Sequence, residues 1–170
     1  MITKSSILLD TCILQNLLSK EDDLAKKTKE LLKELYKAEN TFYISEFSKH
    51  ELLRGANETQ QKKANAILDA FLTVPQSPAR LQRATVLYNA YASIPNIKNT
   101  IHSISDIDLF IGSLIFTDQK PYLLTADYFD FPRPFFIEAQ VCDIDFKKKK
   151  GTSAHIYYYL FIANPGSLFK

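Results

Sequence analysis

Apolar and polar positions alternate along the chain in two rhythms, short apolar runs and longer stretches of helical spacing. Ile7-Leu8-Leu9 is an unbroken apolar run of the kind that makes a strand buried on both faces, and the polar pair Asp10-Thr11 follows it at once. Residues Glu21 to Glu39 set Leu24, Leu31, Leu32, Leu35 and Tyr36 among lysines and glutamates, which predicts an amphipathic helix with a solvated face. Thr41 to Ser45, β-branched and aromatic, predicts a second strand. Ser45 or Ser48 can cap a short helix after it, which contains Glu51-Leu52-Leu53-Arg54 and stops at Gly55. Two more helices are predicted over Glu58 to Leu72 and Pro78 to Ser93, with Thr73-Val74-Pro75 between them as a short strand that Pro75 confines to an edge or an end. Ile94 to Ile104 reads as a polar, proline-broken connection.

The stretch from Ser105 to Phe131 organises the rest. Ser105 with an acid three positions on is a capping signature, and Ile107, Phe110, Ile111, Leu114 and Ile115 then recur at helical spacing. Pro121 punctuates the turn before Tyr122-Leu123-Leu124, a buried-strand run, so Thr125 and Asp127 fall just past a carboxyl end, where open α/β sheets build their sites. Beyond it, Phe135 to Phe146 and Ala154 to Ala163 are strand-like, joined by a charged turn from Lys147 to Ser153. The second of these is apolar on both faces, so it needs cover on both sides, from the domain itself or from a partner. Strands alternating with helices predict a mainly parallel, doubly wound sheet covered on both faces.

Composition narrows the class. A chain of 170 residues, 46% apolar and 24% charged, suits one domain with a full core, and a net charge of +2 makes any basic surface local. Cys12 and Cys142 suit reduced thiols in a cytoplasmic protein better than a disulfide framework. The apolar run from Ile7 to Leu18 is interrupted by Asp10 and too short for a bilayer, so no signal peptide or membrane span is expected. His50, His102 and His155 show no metal or triad spacing.

The acids carry the chemistry. Asp106 and Asp108 could serve only to complement a helix dipole, and residues two apart do not share a helix face. Asp108 is the better inward candidate, aligned with Ile111, Gly112 and Ile115, while Asp106 reads as a helix-start acid. Taken together, Asp10-Thr11, Glu51 in Glu-Leu-Leu-Arg-Gly, Asp108 in Asp-Leu-Phe-Ile-Gly-Ser, and Thr125-Ala-Asp127-Tyr-Phe-Asp130-Phe131 resemble the four signature segments of PIN-domain ribonucleases, the VapC-type toxins being nearest in size. The resemblance runs from Ile7 to Phe131.

What the resemblance implies is specific. The fold would be a three-layer α/β/α PIN-like domain over residues 1–134, with residues 135–170 an added β-hairpin packed on it. Asp10, Glu51, Asp108 and Asp127 would form the catalytic, metal-holding cluster, supported by Thr11, Thr125 and Asp130. Converging carboxylates repel one another and so call for protons or a cation, and oxygen ligands suit one or two Mg²⁺ or Mn²⁺ ions that activate water against a phosphodiester. RNA would be the substrate, a small antitoxin the partner, and a homodimer the assembly. Arg54 and Lys147, Lys148, Lys149 and Lys150 are the cations available to an RNA backbone, although a solvated hairpin tip is the better reading of the four lysines. This chain has Cys12 where the family commonly has Asn, and Gly112-Ser113 where it has small alanines. Two alternatives stand beside the nuclease: a catalytically silent PIN module that binds RNA or protein, and a haloacid-dehalogenase-like phosphatase using Asp106-Ile-Asp108. The second is weaker, because that pair follows no apolar strand.

Overall fold

The computed structural model describes residues 2–98, 104–117 and 119–168. Residues 99–103, part of the connection expected between Ile94 and Ile104 and including His102, lie outside the described residues. In chain order the elements are β1 (Ser6–Leu9), α1 (Thr11–Leu17), α2 (Asp22–Lys37), β2 (Thr41–Ser45), α3 (Glu46–Leu53), α4 (Glu58–Leu68), β3 (Leu72–Val74), α5 (Pro78–Ala92), α6 (Pro95–Lys98), α7 (Asp106–Ser113), β4 (Tyr122–Thr125), β5 (Phe136–Lys147) and β6 (Ser153–Ala163).

The six strands form one sheet in the order β3-β2-β1-β4-β6-β5. β1 pairs in parallel with both β2 and β4, and β3 lies parallel to β2 at the edge. β6 runs antiparallel to β4 and β5 antiparallel to β6, with a register shift between Glu138 and Gln140. Strand pleating sorts the apolar residues into two cores. Leu8, Leu123 and Phe161 point to one face, under α5 and α7, whereas Ile7, Leu9, Leu124, Tyr158 and Leu160 point to the other, under α1 and α2. This is an α/β fold of three layers with a central mixed sheet, and its uninterrupted apolar runs are those of strands covered twice.

Local chemistry sets the element ends. Ser45, Asn57, Ser77 and Ser105 each cap a helix by accepting a backbone N–H, and Ser105 and Asp108 form a reciprocal capping box. Gly55 adopts φ 74° just past α3, a left-handed geometry that suits glycine. Two helices were not expected. α1 begins directly at Asp10, whose carboxylate accepts the Thr11 N–H, and the short helix α6 occupies the start of the supposed irregular connection. In the first case the strand and the helix share one apolar run, so periodicity alone does not separate them.

Both faces of β6 supply side chains to the two cores, although Tyr157 near its start stays exposed. Tyr158, Leu160 and Phe161 are fully buried, and the Tyr158 hydroxyl meets Thr28 at 2.7 Å and accepts from Asn16 at 3.0 Å, which pins β6 to α2 and α1. The tip is tied down as well, since the backbone N–H groups of Lys147 and Lys149 donate to Asp23 and Glu21 near the start of α2. Among the described residues no helix is long and apolar enough to cross a membrane.

Candidate active site

Because β1, β2 and β4 are parallel, the segments that leave them emerge at one rim of the sheet. β1 stands where the strand order reverses, between β2 and β4, the position at which open α/β sheets leave a crevice. Asp10 ends β1, Asp127 lies two residues past β4, and the helix after β2 carries Glu51. The backbone N–H of Asp10 donates to the Leu124 carbonyl at 3.0 Å, so the two strand ends are locked together.

Asp10 is buried, and its carboxylate accepts from the Thr11 N–H at 2.6 Å, the Thr125 hydroxyl at 2.6 Å and the Cys12 thiol at 3.2 Å. Thr125 in turn accepts the Asp127 N–H at 2.9 Å, so one buried hydroxyl bridges the first and last acids. The Ala126 N–H donates to the Cys12 sulfur at 3.1 Å and ties the same two segments a second time. A ligand atom from each of Asp10, Cys12 and Asp127 falls within 4.8 Å of the other two.

Burial pushes the Asp10 carboxyl up to about 7, against the three hydrogen bonds that lower it, and the charge of Asp108 adds to the rise. Asp108 is raised by burial too. Its bonds with Ser105 oppose the shift, and the charges of Glu51 and Asp127 add to it. Burial lifts Asp130 to about 6, followed by the charges of Asp108 and Asp127. Asp108 is thus the hub of the cluster, within electrostatic reach of Asp10, Glu51, Asp127 and Asp130.

Among the described residues none of these five pairs with a lysine, arginine or histidine. A buried anionic group without a counter-charge is costly, and hard oxygen donors match Mg²⁺ or Mn²⁺. The residues present therefore fit such an ion. The sulfur is the exception among the donors. Burial, with Asp10 beside it, pushes the Cys12 thiol well above its ordinary range, so it serves as a protonated donor to Asp10 and not as a thiolate ligand.

Other expected residues fall as follows. Thr11 is buried at the head of α1, and its hydroxyl oxygen has no hydrogen-bond partner among the described residues. Asp108 both caps α7 and faces the other acids, so the two readings of that residue are compatible. Asp106 instead lines a separate hollow with Phe47, Thr85 and Tyr88. Arg54 is exposed at the end of α3, and the four tip lysines lie by the acidic start of α2, where Lys149 also approaches Asp22 at 4.0 Å. Sequence reasoning registered Cys12 only as a departure. The signal that could have found its role was its position one residue beyond Asp10-Thr11. Tyr91 of α5 is buried within reach of the charges of Asp108 and Asp130.

Among solved structures the chain is similar to one in the crystal structure of VapBC2 from Rickettsia felis bound to a DNA fragment from their promoter, with 22% identity over 65% of this chain and 80% of that one and a TM-score of 0.45. No curated protein sequence matches at a significant level. The family model of the PIN domain matches residues 7–128, a span that includes Asp10, Glu51, Asp108 and Asp127, and the chain therefore belongs to the PIN-domain family.

Proposed function

We propose that the protein is a divalent-metal-dependent endoribonuclease, the toxin of a toxin–antitoxin pair in the manner of the VapC-type members its motifs resemble. The observation that supports this best is the buried Asp10 carboxylate at the carboxyl rim of β1 and β4, with the partly exposed Asp108 raising it further and no lysine, arginine or histidine paired with it among the described residues. Asp10, Glu51, Asp108 and Asp127 would hold the metal, with Asp130 as an outer acid. When bound, the ion supplies a water acidified for attack and a positive charge against the phosphodiester. The chain's own residues do the positioning. Thr125, Cys12 and the Thr11 N–H hold the Asp10 carboxylate in one orientation, and Thr125 fixes the backbone from which Asp127 projects. Ser105 holds one oxygen of Asp108 in place through the helix cap. RNA would be cut to a 5′-phosphate and a 3′-hydroxyl. A small antitoxin and a second copy of the chain would be partners, as the family resemblance implies, with residues 135–170 an extension of the nuclease domain.

The test is incubation with total RNA and Mn²⁺ or Mg²⁺, followed by mapping of new 5′ ends. Cleavage should vanish with a chelator and in Asp108→Asn. Cleavage that survives the chelator overturns this mechanism, and its absence under all conditions favours a silent RNA- or protein-binding module.

A further inference from the structure

We propose that the hairpin gives this protein a base-stacking shelf for single-stranded RNA, set directly beside the acid cluster. The idea rests on the nuclease reading for the identity of the strand, and on geometry for the shelf itself. A hollow of about 430 Å³ is lined by Tyr128 and Phe129 from the segment after β4 and by His155, Tyr157 and Tyr159 from β6, together with Asp127 and Asp130. Those two acids belong to both the hollow and the acid cluster, so a strand whose phosphate sits at the acids has its neighbouring nucleotide over the rings.

Exposure and anchoring point the same way. Phe129 is 88% exposed and Tyr157 46% exposed, a poor use of aromatic surface unless something covers it. Single exposed apolar residues are common and need no explanation, but these two frame one concavity. The inner rings are held firmly. Tyr128 lies 4.9 Å from Tyr159, and Tyr159 stacks on the buried Phe161 at 5.9 Å with 14° between planes. Tyr157, Tyr159 and Phe161 are alternate residues of β6 and share a face, so the row begins in the core and opens at its outer end. A preformed row of rings loses little freedom on binding.

Charge selects which part of a nucleotide enters. At the outer end His155 lies between Asp143 at 2.8 Å and Asp145 at 2.9 Å, an acidic edge that repels phosphate. The Arg133 guanidinium sits over Tyr128 at 5.9 Å and is paired with Glu138 at 3.4 Å on the surface, where a backbone phosphate can compete for it. Bases therefore meet the rings, and the phosphates pass Arg133 and the metal-loaded acids. Aromatic rows on sheet faces take unpaired bases in this way, and every base offers a stacking face. The family match ends at residue 128, and Phe129, Tyr157 and Tyr159 lie outside it.

The experiment measures affinity for an oligoadenylate, an RNA duplex and a strand lacking bases, with Ca²⁺ in place of Mg²⁺ to suppress hydrolysis. Phe129→Ala combined with Tyr157→Ala should raise the Kd for the oligoadenylate roughly 10-fold or more while leaving the other two unchanged. The chain has no tryptophan, so Phe129→Trp gives a second reading, with fluorescence quenched by the oligoadenylate and not by the strand without bases. An unchanged Kd and no quenching overturn the shelf, as does an equal loss for all three ligands. Unchanged RNA affinity with loss of self-association in sedimentation also overturns it and assigns the rings to a protein contact. Total-RNA cleavage is read on the same preparations. Intact cleavage without stacking removes the shelf alone, whereas stacking without cleavage supports the shelf and removes the nuclease.

Discussion

Among the described residues two groups of acids offer clustered metal-ligand atoms, and they are built in opposite ways. Asp10 and Asp127, with Asp108 near them, come from three segments that are distant in sequence, lie at the rim of the parallel half of the sheet, and include a fully sequestered carboxylate without a protein cation. Asp143 and Asp145 are neighbours on one face of β5 in the antiparallel half, stand in solvent, and already share His155. The first arrangement costs folding energy and is assembled only by the fold. The second is a cross-strand pairing that water screens and that is worth little. Carboxylates kept where they destabilise the chain mark the place where a ligand compensates them.

The sharpest way to break that comparison is to remove one acid from each group. Asp10→Asn should lower RNA cleavage by at least about 100-fold, while Asp143→Asn leaves the rate within about 2-fold in the same assay. Equal losses would erase the distinction.

Stability should respond in the other direction. The folded pKa of Asp10, about 7, lies above its unfolded value, so its contribution is complete below about pH 4 and is lost as the pH rises through 7. In chelator the protein should therefore lose on the order of a few kcal/mol between pH 4 and 8, and Asp10→Asn should lose much less. Thermal melts across that range check this, and added Mn²⁺ should restore the wild type alone at the upper end.

A smaller effect probes the seam between the two halves. A Cβ at Gly112 would stand 2.9 Å from the Phe136 ring and 3.4 Å from Phe131, so Gly112→Ala should cost about 1–3 kcal/mol, read as a lower melting temperature. The small alanine common in the family is excluded here because the hairpin's own Phe136 fills its space.

Least of all should follow from Lys147, Lys148, Lys149 and Lys150 replaced by Ser. The tip is anchored by backbone N–H groups that serine retains, so stability should shift by less than about 1 kcal/mol and the salt dependence of RNA affinity should be unchanged. A shallower salt slope would give the lysines a part in RNA binding.

Much of this was legible in one dimension. The runs Ile7 to Leu9, Thr41 to Ser45 and Tyr122 to Leu124 announce their strands because a strand buried on both faces needs consecutive apolar residues, and Ser45 and Ser105 announce their helices through local capping bonds. α1 was hidden because its apolar residues resume those of β1 after only Asp10 and Thr11.

What the amino-acid order determined alone were features set by neighbours along the chain: element type, caps, turns, and the placing of each acid just past a strand. The tertiary structure decided what depends on residues far apart. It gave Cys12 its place as a donor to Asp10 and an acceptor from Ala126, joined Asp10 to Asp127 through Thr125, buried Tyr158, Leu160 and Phe161 of β6 in the two cores, and laid exposed rings beside the acids. Hydrogen bonds and desolvation act across a few ångströms of space whatever the separation in sequence, so only the folded arrangement could determine them.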